Sequence, residues 1–286
     1  MEDLTAEVVR RLDATPDPRL REIMQALVRH LHAFTKEVGL TDDEWLAGIK
    51  FLTATGQMCD DKRQEFILLS DTLGLSMLVD EINHDGGDAA TESTVLGPFY
   101  VADAPLREYG DSIVLADEAP RAVVSGVVRG ADGKPIPGAL LDIWQTASNG
   151  SYDVQDPAQP PFNLRGRFHA RDDGSYRFVT VRPAVYQIPA DGPVGGLLRA
   201  TDRHPWRAAH IHAIVSADGY RPVTTHIFDA DSDYLDSDAV FGVKDSLIRP
   251  FVRHDDPAEA ARLGVPAPYF TVDHDFVLSP APAPGA

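Results

Sequence analysis

The apolar residues of this chain change their spacing part-way along it, and that change limits the available folds more than any other feature. Leu20, Ile23, Leu27, Leu31, Phe34 and Val38 recur at three and four residues until Gly39, the period of a helix with one apolar face. Thr41-Asp42-Asp43-Glu44 reads as a capping box that opens a second helix through Trp45, Ile49 and Leu52. A third helical segment is expected from Asp60 to about His84. There Phe66, Ile67, Leu69, Leu73, Met77 and Leu78 spread wider than one buried face requires, so part of this surface is expected to meet another subunit. Further on, the grammar becomes short β-rich runs, AVVSGVVRG, GALLDIWQT, SYRFVTVR, AHIHAIVS and VTTHIFD, with Asp-Gly turns at 131–134, 172–175 and 217–220. Short runs with frequent turns predict an antiparallel sandwich or barrel. The expected fold class is α+β, a helical domain over residues 1–100 followed by an antiparallel β-sandwich over 101–286. The Pro- and Gly-rich stretch from Arg182 to Arg207 is expected to be a long loop carrying function.

At 286 residues the chain is long enough for two domains. Its 26 Lys and Arg against 44 Asp and Glu leave a net charge of -18, which disfavours nucleic acid or an anionic membrane as partner. The single cysteine, Cys59, excludes an intrachain disulfide and a thiolate metal cage. The start is acidic without an apolar core segment, and there is no run of about 18 apolar residues. A soluble cytoplasmic protein is therefore expected.

The stretch WRAAHIHAIVS, residues 206–216, places two histidines one residue apart in an apolar run. If it is extended, His210, His212 and Ile214 share one face while Ile211, Ala213 and Val215 share the other. The imidazoles then sit about 7 Å apart at their roots and can converge on one atom. A hydrogen-bonded structural pair is the alternative. Asp202 and Asp229 keep a His and carboxylate metal site open, while the helical H-E-x-x-H pattern is absent. Tyrosinate is a further donor, suited to a hard trivalent ion. Tyr152 and Tyr186 lie in Gly- and Pro-rich segments that suggest exposed loop rather than core.

The set LGPFY (96–100), LDIWQTASNGSYD (141–153), FNLRGR (162–167), RPAVYQIPADGP (182–193), RAAHIH (207–212) and THIFDADSDYLDSDAVFGVKDSLI (225–248) resembles the intradiol ring-cleavage dioxygenases, most of all their hydroxyquinol-cleaving branch. The similarity runs from the helical N-terminus to about residue 253. The resemblance implies a mononuclear Fe(III) centre held by Tyr152, Tyr186, His210 and His212, with Tyr186 the tyrosine that leaves the metal and takes a substrate proton. Arg207 corresponds to the family's active-site arginine and would stabilise developing negative charge. His226 is implied behind the ligands, near the metal without binding it, with a surface position as the alternative. The substrate pocket is implied to comprise Leu68, Asp71, Val95, Leu96, Gly97, Pro98, Phe99, Ile188, Pro189, Arg207 and Val240. A carboxylate at Asp71 would accept a hydrogen bond from a third ring hydroxyl, favouring 1,2,4-trihydroxybenzene over catechol. A solvated helix Asp is the plainer reading of that residue.

The implied reaction joins O2 to hydroxyquinol between adjacent hydroxyl-bearing carbons, giving 3-hydroxy-cis,cis-muconate or its tautomer maleylacetate. Cleavage of catechol or chlorocatechol is the neighbouring alternative. Two departures from catechol-cleaving relatives bear on this: Arg207-Ala208-Ala209-His210 stands where they carry R-P-A-H, and Thr224-Thr225-His226 where they place a glutamine after two threonines. The resemblance further implies a homodimer through the N-terminal helices, with a phospholipid at the interface. Outside this family, a colourless zinc hydrolase and a non-catalytic sandwich binding module, supported by PIPGALLDIW, stay open.

Overall fold

Helices α1 (Leu4–Arg11) and α2 (Pro18–Val38) each start behind an aspartate that satisfies free N–H groups of the first turn: Asp3 accepts from Thr5 at 3.1 Å and Asp17 from Arg19 at 2.8 Å. Gly39 closes α2 in the left-handed region, φ +59°, as the sequence predicts. Helix α3 (Asp42–Gln57) opens with the expected capping box, Thr41 N–H to Glu44 Oε2 at 2.9 Å and Glu44 N–H to Thr41 Oγ1 at 3.3 Å. The apolar row of α2 is exposed: Leu20, Ile23, Leu27, Leu31, Phe34 and Val38 are 46–53% accessible.

The expected third helix is two helices, α4 (Glu65–Thr72) and α5 (Leu75–Asn83). Gly74, φ +74°, separates them, a conformation that costs a glycine little and redirects the chain. The structure describes residues 3–60, 63–84, 89–116 and 120–281. By internal contacts the chain divides into Met1–Gln57 and Met58–Ala286, so α4 and α5 belong with the β-strands.

The second unit contains β1 (Leu106–Arg107), β2 (Arg121–Gly130), β3 (Leu140–Trp144), β4 (Arg165–His169), β5 (Ser175–Val181), β6 (Tyr186–Gln187), α6 (Pro193–Ala200), β7 (Trp206–Arg207), β8 (His210–Ser216), β9 (Val223–Asp229), β10 (Ile248–Arg249), β11 (Val252–His254), α7 (Pro257–Leu263), β12 (Tyr269–Asp273) and β13 (Phe276–Leu278). One sheet runs β1-β4-β3-β8-β9-β10; the other joins β11, β12, β2 and β13, with β5 on the free side of β2. The pairings β4–β3, β3–β8, β8–β9 and β2–β5 are antiparallel, while β1, β10, β12 and β13 add parallel pairings. Between the sheets lies one apolar core, with Leu141, Ile143, Ile211, Ala213 and Ile227 from the first and Val124, Val128, Phe178, Phe270 and Phe276 from the second. The stretch 182–207 is not one long loop; it holds β6, α6 and β7, with β6 and β7 paired as a small separate ribbon. Among the described residues no helix is long and apolar enough to cross a membrane.

Candidate metal centre

The first sheet buries one face in the core and turns the other toward the segments that carry Gly97 and Tyr152. Ile143, Ile211 and Ile227 take the core face, so their neighbours take the opposite one. Register then sets Arg165, Trp144, His212 and His226 directly opposite one another across β4, β3, β8 and β9. His210 shares this face two residues from His212. Both histidines are buried, which polar side chains tolerate only with partners.

Those partners are specific. His210 Nδ1 lies 2.6 Å from the Ala208 carbonyl, which only accepts, so Nδ1 carries the proton and Nε2 presents a lone pair. That Nε2 is 3.1 Å from His212 Nε2, which is in turn 2.9 Å from the Tyr152 hydroxyl. On its far edge His212 Nδ1 meets His226 Nε2 at 2.7 Å; donation from Nδ1 leaves His212 Nε2 free as well. Trp144 lies flat against the His212 ring, centroids 4.6 Å apart at 10°. Phe99 stacks on Tyr152 at 4.7 Å.

Tyr186 arrives from the ribbon. It pairs directly with Arg207, whose Nη1 donates to the Tyr186 hydroxyl at 3.2 Å and lies 3.2 Å from His210 Nε2. Arg207 is held from behind by Asp238, with Nε to Oδ1 at 3.1 Å and Nη2 to Oδ2 at 3.4 Å, and Asp238 also accepts the Gly242 N–H at 2.8 Å. Burial opposes the Arg207 charge, but Asp238 and Tyr186 outweigh it and raise its pKa further. Burial holds His210 and His212 well below the usual imidazole range, with Arg207 adding to the effect on both and His210 on His212. Burial lifts the Tyr152 phenol well above its usual range, and Tyr186 adds to this.

Neutral imidazoles and oxygen donors meeting at one buried point can hold a metal ion. Two imidazole nitrogens facing each other at 3.1 Å repel as bare lone pairs. That spacing suits two atoms bound at about 2 Å to one cation. A cation also offsets the burial that raises the Tyr152 phenol. His226 belongs to the same buried imidazole group, yet it meets His212 on the edge turned away from Tyr152. Asp229 is engaged by Arg182 at 2.5 and 3.1 Å, and Asp202 is exposed, so neither supplies the carboxylate of a zinc site with these histidines.

Beside the cluster opens a cavity of about 530 Å³, mouth included, with Leu68, Asp71, Pro98, Phe99, Gln155 and Pro189 in its wall. An adjoining groove shares Asp71 and Pro98 and adds Val95, Leu96 and Gly97. Gly97, φ +76°, lies against the metal-side imidazole: a Cβ there would stand 3.3 Å from His212 Cε1. Ile188 and Val240 are buried nearby in sequence to the ribbon and to Asp238. Asp71 is buried, not solvated, and burial raises its pKa against the opposing influence of Ser76 and Arg207. The cavity's walls are tied together at Glu65, fully buried, which pairs with Arg63 and accepts the Val194 N–H at 3.1 Å.

The structure thus brings the two tyrosines and the His-x-His pair together, and corrects the expectation that the tyrosines are exposed: Tyr152 is 1% and Tyr186 4% exposed. It also excludes the surface reading of His226, which is fully buried. Sequence reasoning missed Asp238, Trp144, Arg165 and Glu65. Strand alternation through Ile143 could have placed Trp144 on the histidine face; nothing local marks Asp238, which meets Arg207 across 31 residues.

Residues 95–280 match a family model described as dioxygenase, and residues 17–91 match one described as the catechol dioxygenase N terminus. A hydroxyquinol 1,2-dioxygenase of a Rhizobium species is 51% identical over 282 residues, covering 98% of this chain and 96% of the relative. A 6-chlorohydroxyquinol 1,2-dioxygenase of Cupriavidus pinatubonensis is 48% identical, covering 97% of each. The crystal structure of a hydroxyquinol 1,2-dioxygenase from Pseudomonas putida superposes with a TM-score of 0.92 at 51% identity, covering 97% of each chain. Fold and site define a ring-cleaving oxygenase built on a β-sandwich. The chain belongs to the intradiol ring-cleavage dioxygenases.

Proposed function

We propose that the protein is a hydroxyquinol 1,2-dioxygenase that inserts both atoms of O2 between the adjacent hydroxyl-bearing carbons of 1,2,4-trihydroxybenzene, giving 3-hydroxy-cis,cis-muconate, the tautomer of maleylacetate. The observation that carries this reading is the meeting of Tyr152, Tyr186, His210 and His212 at one buried point beside a cavity with the buried Asp71 in its wall. The names of the relatives at 46–51% identity point to the same substrate.

In this reading Tyr152, Tyr186, His210 and His212 hold Fe(III). Bound ferric iron supplies Lewis acidity toward the diol and the one-electron chemistry that lets the ring meet O2. Tyr186 receives a proton from the substrate at its phenol oxygen, and the Arg207 Nη1 donor 3.2 Å away steadies that oxygen as its charge changes. The carbonyl of Ala208 keeps His210 in the tautomer that presents Nε2, and His226 does the same for His212. Tyr152 stays in place because Asp153, next in the chain, is tied to Arg165 at 2.7 Å. Leu68, Phe99 and Pro189 flank the ring and exclude water, and Asp71 accepts from the third hydroxyl. Catechol lacks that hydroxyl and leaves Asp71 unmatched, which makes it the poorer substrate.

Residues 1–100 then serve dimerisation and linkage, with Leu68 and Asp71 also reaching the substrate, while residues 101–286 carry the ligands. The exposed apolar row of α2 supports a homodimer contact, with phospholipid seated there, in a protein of the cytoplasm. The test is to purify the protein, record its metal content and visible spectrum, and follow oxygen uptake and product absorbance with each diol. A tyrosinate-to-iron band lost in Tyr152→Phe, and faster turnover of hydroxyquinol than of catechol, are the expected results. A colourless protein with stoichiometric zinc and no oxygen uptake would overturn the reading.

A further inference from the structure

Arg165 is 1% exposed, and its hydrogen bonding is one-sided. Nε donates to Asp153 at 2.7 Å, while Nη1 and Nη2 are enclosed without an acceptor among the described residues. Buried guanidinium donors left open in this way are costly unless negative charge lies close by. The guanidinium carbon stands 5.7 Å from the centroid of the Tyr152 ring, over its face. Directly opposite on β3 is Trp144, whose Nε1 is also buried without a partner and whose ring lies flat on His212. Two unsaturated donors on neighbouring strands therefore flank the Tyr152 and His212 side of the cluster. Tyr186 has a cation of its own: Arg207 donates to its oxygen, stands 5.9 Å from its ring centroid and is held by Asp238, as Arg165 is by Asp153.

We propose that Arg165 is a positioning residue for the reaction, a fixed buried cation that draws electron density from the face of Tyr152 and lowers the charge this tyrosine donates to the metal. The proposal rests on the ferric tyrosinate reading above. A cation over an aromatic face is attracted by its π density, more strongly when the ring is anionic and water is excluded. That attraction lowers the phenolate orbital from which charge moves to the metal. Arg165 thereby tunes the tyrosine that keeps its place, while Arg207, at the Tyr186 oxygen, tunes the one that exchanges its proton with substrate. Through Asp153, which also accepts the Phe162 N–H at 2.9 Å, the same side chain anchors the loop that carries Tyr152.

The test compares Arg165→Lys, Arg165→Met and the paired Arg165→Met/Asp153→Asn, the last removing both charges so that no carboxylate is left buried alone. Each is loaded to the same iron content, and the visible band and the two tyrosinate C–O vibrations are recorded by resonance Raman spectroscopy. The expected result is a band moved to longer wavelength in both Met variants, one of the two C–O vibrations shifted, and the wild-type band restored in Arg165→Lys. kcat falls about tenfold in the Met variants with KM little changed, the loss typical of an outer partner of a metal ligand. A wild-type band position in the paired variant at full iron loading would overturn the role of Arg165 alone. A natively folded Arg165→Met variant that cannot be loaded would do the same, because removing positive charge beside a trivalent ion favours binding. A wild-type protein without any visible band would overturn the ferric reading itself, and this proposal with it.

Discussion

His226 Nε2 lies 2.7 Å from His212 Nδ1, so the third buried imidazole meets the second on the edge facing away from Tyr152. Three imidazoles thus cluster tightly, but only His210 and His212 offer Nε2 to the point shared with the phenols. The third orients the second. His226→Ala should weaken iron binding about 10- to 100-fold, read by competition with a chelator, and His226→Gln, which can still accept from Nδ1, should recover much of it. Equal iron affinity in all three proteins would show that His212 needs no such support.

Asp238 is the carboxylate that aims Arg207. Both side chains are about 2% exposed, so removing one charge leaves the other buried and unpaired. Asp238→Asn should lower stability by about 3 kcal/mol in denaturant titration. It should also cut kcat more than KM changes, because the Nη1 donor no longer holds its direction toward Tyr186. A variant with wild-type kcat and midpoint would contradict this geometry.

Asp71 tests substrate choice. Asp71→Ala removes the acceptor proposed for a third ring hydroxyl, a loss of about 1–3 kcal/mol, or roughly 5- to 150-fold in kcat/KM for hydroxyquinol. Catechol turnover should change far less, since catechol has no group to place there. Equal losses for both diols would remove the specificity argument.

His274 lies far from the metal site in the sequence and has a pH signature of its own. It is 3% exposed, and neither ring nitrogen has a hydrogen-bond partner among the described residues. Burial lowers its pKa from 6.5 to about 4, with Arg249 adding to the effect and Asp275 opposing it. Above about 6.5 the ring is neutral in both the folded and the unfolded chain. As pH falls through that value the unfolded chain binds a proton that the folded chain refuses until about 4, so this residue removes about 3 kcal/mol of stability across the window. His274→Leu should flatten that part of the stability profile, measured by urea unfolding between pH 7 and 4; an unchanged slope would show that the ring is protonated in the fold.

The helical segments were legible because their signals are local. Gly39 and the Thr41–Glu44 box act within one turn, and they end α2 and start α3 where the sequence places them. The Gly74 break between α4 and α5 was less visible, since one glycine in an amphipathic run is often tolerated. Alternation was equally readable in HIHAIVS, where Ile211, Ala213 and Val215 enter the core and His210 and His212 do not. The tyrosines were misjudged because Gly- and Pro-rich flanks signal turns, and turns are usually exposed. Here Tyr152 packs under Phe99 and with Trp144 and Tyr186, and Tyr186 stands on strand β6 of the ribbon.

What the sequence determined by itself was the change from helices to short strands along the chain, and that two imidazoles would project from one side of one strand, because capping and side-chain alternation depend on residues a few positions apart. Which groups those imidazoles would meet was decided only by tertiary structure. Tyr152 and Tyr186 reach them across 60 and 24 residues, Asp238 reaches Arg207 across 31, and Arg165 stands opposite Trp144 through strand register. Such distances are closed by the packing of two sheets around one apolar core, a collective gain that no short stretch of chain encodes.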